Sequence, residues 1–229
     1  MSNTISPKMI CDYMDQYVIG QEDAKKAVAN TLFLHYVRTF QPFDEENPID
    51  YRIKKSNLLL TGPSGNGKTH LIETGINAIN YIQDYPVMPF LHLDATTLSA
   101  TGWAGDHIQG AIGRHFVEHK DNEFIFNSSV IFIDEIDKMC IPAIGQGGYD
   151  HNKNSQYSLL KVLEGTDVTY EEKMKSYKFQ THKLLFILAG NFPQIRHIRK
   201  SESKESMGFH NTNNDIPIAS KHKELEKGG

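Results

Sequence analysis

The chain has 229 residues, with 24 basic against 28 acidic side chains and a formal charge of −4, and at about 100–200 residues per domain this predicts one domain with room for a small annex. Hydrophobic residues make up 39% and charged residues 23%, with 17 Gly and 9 Pro, which excludes disordered, collagenous and low-complexity chains and implies a soluble globular protein. No apolar run approaches the roughly 18 residues that span a bilayer, and Met1 to Met9 lacks the apolar core of a signal peptide, so the expected location is the cytoplasm, without a membrane partner.

From the N-terminus, Ile10, Tyr13, Met14 and Tyr17, then Ala24, Ala27, Val28, Thr31, Leu32 and His35, recur at helical spacing, with Gly20 separating two helices. Gln41 to Asp50 gathers Pro42, Pro48 and four acidic side chains into a breaker cluster that reads as a loop. Four short apolar runs follow: Leu58 to Leu60, Phe90 to Leu93, Val130 to Ile133 and Leu184 to Leu188. Bounded by turn or polar residues, they read as buried parallel strands. Helical patterns near Lys68 to Tyr81, Asp106 to Glu118 and Ser155 to Leu163 separate them, giving the alternation of an α/β fold with a mostly parallel sheet covered by helices on both faces. Val168 to Tyr170 and Tyr177 to Gln180 read as a small inserted hairpin, and beyond Arg199 the composition shifts to Ser, Lys, Glu, Asn and His, a mobile tail. The expected organisation is therefore N-terminal helices over 1–55, a phosphate-binding core over 56–200 and the tail over 201–229.

The strongest local signal is Gly62-Pro63-Ser64-Gly65-Asn66-Gly67-Lys68-Thr69, which satisfies GxxxxGK[ST] between a predicted strand and a predicted helix. Glycines let consecutive backbone N–H groups turn inward around a phosphate at the positive end of the following helix. Lys68 then reaches the outer phosphates, and the Thr69 hydroxyl suits the hard oxygen shell of Mg²⁺. Val130-Ile131-Phe132-Ile133-Asp134-Glu135 is a second signal, four apolar residues ending in two carboxylates. A strand buried on both faces presents its first polar residue at its carboxyl end, beside the phosphate loop. Asp134 is placed to hold the Mg²⁺ shell and Glu135 to orient and polarise an attacking water. Asn191 ends the fourth strand at the same edge, where it would reach a γ-phosphate or the water.

With these strand ends in place the sequence resembles the AAA+ ATPases, and within them the ClpX-type protein unfoldases, from about residue 8 to about residue 210. Tyr17-Val18-Ile19-Gly20-Gln21 is similar to the family's N-terminal box, and the resemblance implies that Val18 and Ile19 contact the adenine of ATP. Lys55 to Leu60, Asp94 to Leu98, Asp134 to Lys138, Leu159 to Lys161 and Glu164 to Thr166 are similar to further family blocks. Gly102-Trp103-Ala104-Gly105 lies where the family carries a pore loop, which implies that Trp103 and Ala104 grip unfolded polypeptide; an aromatic offers contact area to any side chain, and flanking glycines let a loop travel. Met207-Gly208-Phe209 falls where the family docks on its peptidase, implying a ClpP-like partner. The resemblance also implies a homomeric ring, hexameric when complete, and a strand order 5-1-4-3-2.

The sequence departs from the family in stopping before the helix with an arginine finger, the fifth strand and the small helical domain. None of Arg38, Arg52, Arg114, Arg196 and Arg199 matches a finger position. Slow hydrolysis by this chain alone is the expectation, since such a finger is worth about 10³–10⁵ in rate. Two rival readings stay open: a nucleic-acid-linked P-loop ATPase or loader, disfavoured by a pI near 6.2, and a nucleotide-binding regulator that does not hydrolyse. Cys11 and Cys140 form no CxxC pair and read as buried free thiols, and His115 with His119 reads as a solvated helical face without the HExxH pattern.

Overall fold

The computed structural model describes residues 5–40, 54–82, 87–99, 108–144, 148 and 150–193, all but the last of them within the unit that ends at Phe192. The chain enters through α1 (Pro7–Met14), with proline at its first position and Ser6 as cap, its hydroxyl accepting from the Met9 amide at 3.3 Å. Tyr17 lies beyond this helix rather than continuing it, in a tighter turn where the amides of Gln16 and Tyr17 donate to the carbonyls of Tyr13 and Met14 at 3.2 and 3.1 Å; Gly20 and Gln21, both at positive φ, then turn the chain into α2 (Glu22–Phe40).

Next come β1 (Leu58–Thr61), α3 (Lys68–Ile82), β2 (Phe90–Asp94), α4 (Ala95–Ser99), α5 (Ile108–His119), α6 (Glu123–Asn127) and β3 (Val130–Asp134). A 3₁₀ turn (Ile136–Cys140) leads through an isolated bridge between Ile144 and Asp150 to α7 (His151–Glu164). The hairpin β4 (Asp167–Glu172) and β5 (Lys175–Gln180) precedes β6 (Leu185–Gly190). Lys173 and Met174, both at positive φ, make its turn.

The main sheet is parallel, in the order β1-β6-β3-β2. For the four apolar runs in chain order this is 1-4-3-2, the order the resemblance implies. Among the described residues β1 has no partner on its outer side. Alternation along β3 explains the layers: Val130 and Phe132 pack with α1, α2 and α3 on one face, whereas Ile131 and Ile133 pack with α4, α5, α7 and the hairpin on the other. Among the four strands only β3 is buried throughout its apolar run. Leu59 of the edge strand β1 is 50% exposed, so full burial holds for β3 and nearly so for β6 but not for β1 or β2.

The hairpin meets α5 at Gly113, where an added Cβ would lie 2.3 Å from Cγ of Tyr170. That closeness lets β4 lie flat on the helix. Two sequence expectations are corrected here. Cys11 is half-buried and Cys140 exposed, not buried thiols. His115 is sunk in the core at 5% exposure, because its position on α5 turns toward Phe126 and the sheet rather than toward water.

Candidate nucleotide cleft

The carboxyl ends of β1, β3 and β6 converge on a cleft of about 330 Å³ lined by the phosphate loop, Asp134, Glu135, Asp137, Lys138, Gly190 and Asn191. The loop is a turn with Gly65 at φ +80 and Gly67 at φ +73, a region in which side chains with a Cβ are strained. Thr69 stands in the first turn of α3, so the loop's amides and the positive end of the helix face the cleft together. Lys68 Nζ donates to the carbonyls of Gly62 and Pro63, at 3.0 Å each. Gly62, Pro63, Ser64 and Asn66 complete the loop, and the Gly62 amide donates to Gly190 O at 3.1 Å, stitching it to the end of β6.

Asp134 is held from two sides. Thr69 Oγ1 donates to its Oδ2 at 2.8 Å, and the Glu135 amide donates to its Oδ1 at 2.7 Å. A hydroxyl and a carboxylate brought together this way form a hard oxygen donor set of the kind Mg²⁺ takes, so the residues present fit that ion. Glu135 sits at φ +55, ψ +31, the left-handed region, and caps the 3₁₀ turn without a side-chain hydrogen bond to it. A carboxylate on so uncommon a backbone for a non-glycine residue is a form of strain concentrated at functional sites. The side chain lines the same cleft as Asp134.

Asn191 follows directly on β6, and its amide donates to Asp137 Oδ1 at 2.8 Å. Asp137 stands in the sequence as one member of the Asp134 to Lys138 block, and its role as anchor of Asn191 spans 54 positions and has no local signature. Gln21, a member of the Tyr17 to Gln21 block, and His70 likewise take roles that the sequence does not mark. Gln21 Nε2 donates to Asn66 O at 3.0 Å and His70 Nε2 to Tyr17 O at 3.3 Å, tying the N-terminal turn to the phosphate loop. Lys25, buried at 3% exposure, holds that turn closed through Asp15, through Glu22 at 2.9 Å and through Val18 O at 3.4 Å. Within the turn, the Val18 side chain packs into the core, whereas Ile19 is 98% exposed. Trp103, Ala104, Met207, Gly208 and Phe209 lie outside the described residues.

Residues 53–226 match the family model described as AAA domain (Cdc48 subfamily). Among curated proteins, the chain is 32% identical over 222 residues to the ATP-dependent Clp protease ATP-binding subunit ClpX of Borrelia duttonii, covering 89% of this chain and 48% of that protein. It is 33% identical over 225 residues to ClpX 2 of Wolinella succinogenes, covering 94% and 53%, and 30% identical over 214 residues to ClpX of Treponema denticola, covering 89% and 49%. The chain thus spans about half the length of the curated relatives it matches.

Proposed function

Since the chain belongs to the AAA domain family and is of the ClpX type, we propose that it binds and hydrolyses ATP in this cleft and serves as the motor module of a ring-forming protein unfoldase. The observation that carries the reading is the 2.8 Å contact between Thr69 Oγ1 and Asp134 Oδ2, which joins the phosphate loop to the acidic strand end across 65 positions.

The loop amides and the head of α3 take the β-phosphate, and Lys68 exchanges its carbonyl partners for phosphate oxygens, a stronger charge-assisted bond. Thr69 and Asp134 would hold Mg²⁺, which would supply positive charge against the charge developing on the phosphates. Glu135 orients and polarises the attacking water, and Asn191, its backbone fixed by Asp137, meets the γ-phosphate side. Val18 and Ile19 border the adenine. Among the described arginines neither Arg38 nor Arg114 lines the cleft, so efficient turnover calls for a cation supplied by a neighbouring subunit. Trp103 and Ala104 grip the unfolded chain, and Met207, Gly208 and Phe209 dock on a ClpP-like peptidase in the cytoplasm. No described helix is long and apolar enough to cross a membrane.

The test is ATP binding and turnover against protein concentration, with Lys68→Ala as blank. The expected result is Mg²⁺-dependent binding weakened about 10- to 100-fold in Lys68→Ala, since hydrogen bonds to charged groups are worth about 1.5–3 kcal/mol. Turnover per chain should rise with concentration. ATP binding that Lys68→Ala leaves unchanged overturns the reading.

A further inference from the structure

We propose that His115, Glu118 and His119 form a binding site for a transition-metal cation of the zinc class, separate from the nucleotide cleft. These residues stand at i, i+3 and i+4 on α5, so they share one face of the helix. Their donor atoms all lie within 4.8 Å of one another, and among the described residues no other group of three such side chains does so. His115 Nδ1 lies 3.8 Å from Glu118 Oε2, beyond hydrogen-bond distance and within reach of a shared ion after small side-chain rotations. The two imidazole rings meet edge to face with centroids 4.7 Å apart.

A surrounding feature makes this more than a polar helix face. His115 Nε2 lies 2.9 Å from Oγ of Ser129, a fully buried hydroxyl. With Nε2–H donating there, the Nδ1 lone pair points to the side of Glu118 and His119, the arrangement by which ligating histidines are oriented. Two imidazoles and one carboxylate form a borderline donor set that suits Zn²⁺ over the hard Mg²⁺ of the cleft. The outer side is open, Glu118 being 71% exposed, so a cation can enter from solvent and complete its shell with water. Ser129 precedes the first residue of β3 and Asp134 ends it, so strand rise separates the two sites by about 16 Å. The proposal therefore stands independently of the nucleotide reading.

The experiment is titration of the full chain with Zn²⁺ by calorimetry in excess Mg²⁺, alongside Co²⁺ absorption to identify the donor atoms. One saturable Zn²⁺ per chain is expected, with affinity lowered about tenfold or more in His119→Ala and also lowered in Glu118→Gln. Both positions are solvent-accessible, so these variants fold; His182→Ala, at an exposed histidine elsewhere, keeps wild-type affinity. The Co²⁺ spectrum should lack thiolate charge transfer, since neither Cys11 nor Cys140 takes part. No saturable binding, affinity unchanged in His119→Ala, or a thiolate band overturns the proposal.

Discussion

At the carboxyl end of the parallel sheet, polar groups stand at strand termini and line an open cleft: Asp134, Glu135, Asp137 and Asn191 beside the phosphate loop. At the amino end, polar groups are sunk beneath the helices instead. His35 reaches across from α2 to the carbonyl of Ser128 at 2.9 Å, and His115 reaches from α5 on the opposite face to the hydroxyl of the next residue, Ser129. Arg38 backs His35, donating to its Nδ1 at 2.9 Å and to Lys183 O at 2.7 Å, while Lys55 donates to Thr181 O at 3.1 Å above the ring of Phe186. The contrast separates two uses of polarity. Groups that must exchange partners with a phosphate or its metal stay near water, whereas groups that fix the layers are desolvated and hydrogen-bonded to the backbone or a buried hydroxyl.

Desolvation leaves a measurable trace at the amino end. Burial, with the nearby Arg38 and Lys55, lowers the His35 pKa from 6.5 to about 3, and burial with Arg38 lowers that of Lys55 to about 8. A histidine held neutral in the fold contributes its full stability above 6.5. As pH falls from 6.5 toward 3 the unfolded chain takes up the proton first, so stability is lost through that window, by up to about 1.4 kcal/mol per pH unit. Urea unfolding between pH 6.5 and 4.5 should therefore show stability falling by about 2–3 kcal/mol from this group. His35→Gln should be less stable at neutral pH with a shallower slope; an unchanged slope would break the contrast between the two ends.

A smaller effect is expected within the face that carries α5 and the hairpin. Gly113→Ala places a Cβ 2.3 Å from Cγ of Tyr170, close to that residue's backbone, where no flexible end can yield. The expected cost is about 2 kcal/mol of overpacking, read by chemical denaturation, and only partly relieved in the Gly113→Ala, Tyr170→Ala pair by a double-mutant cycle, because the Cβ that stays at position 170 lies 2.8 Å from the added one. ATP affinity of the folded fraction should not change.

The smallest expected effect sharpens the account of the cleft itself. Asp137→Ala releases the Asn191 amide, so turnover should fall about tenfold through misplacement of that residue while ATP affinity stays within about twofold. A matched loss of affinity and turnover would mean that Asp137 contributes to nucleotide binding rather than to positioning.

The carboxyl end was largely legible in the sequence because its signals are local: eight consecutive residues make the phosphate loop, and an apolar run ending in Asp134-Glu135 marks a central strand. The same runs carried the strand order only through the family resemblance, since pairing of β1 with β6 joins residues over a hundred positions apart. Asp137 and Gln21 stand in the sequence only as members of longer blocks and Lys25 has no signal at all, because an ordinary acid, amide or lysine acquires its role only when distant backbone arrives beside it. The amino end shows this most clearly. His35 reads as one more residue at helical spacing, and its partner lies 93 positions away. The spacing of His115 and His119 suggests a solvated face, since periodicity gives the spacing of a face but not which face the sheet will cover, and the sheet covers His115.

The most direct test of the central claim, that the carboxyl end is a catalytic cleft and not only a phosphate cradle, is Glu135→Gln. The substitution keeps side-chain size and removes the charge assigned to the water. Nucleotide affinity and turnover would be measured together on wild type and variant, at concentrations where the wild-type chain turns over ATP. The account predicts affinity within about threefold of wild type and turnover lowered about 10²–10⁴-fold, the range for loss of a positioned general base. Turnover equal to wild type at unchanged affinity would contradict it.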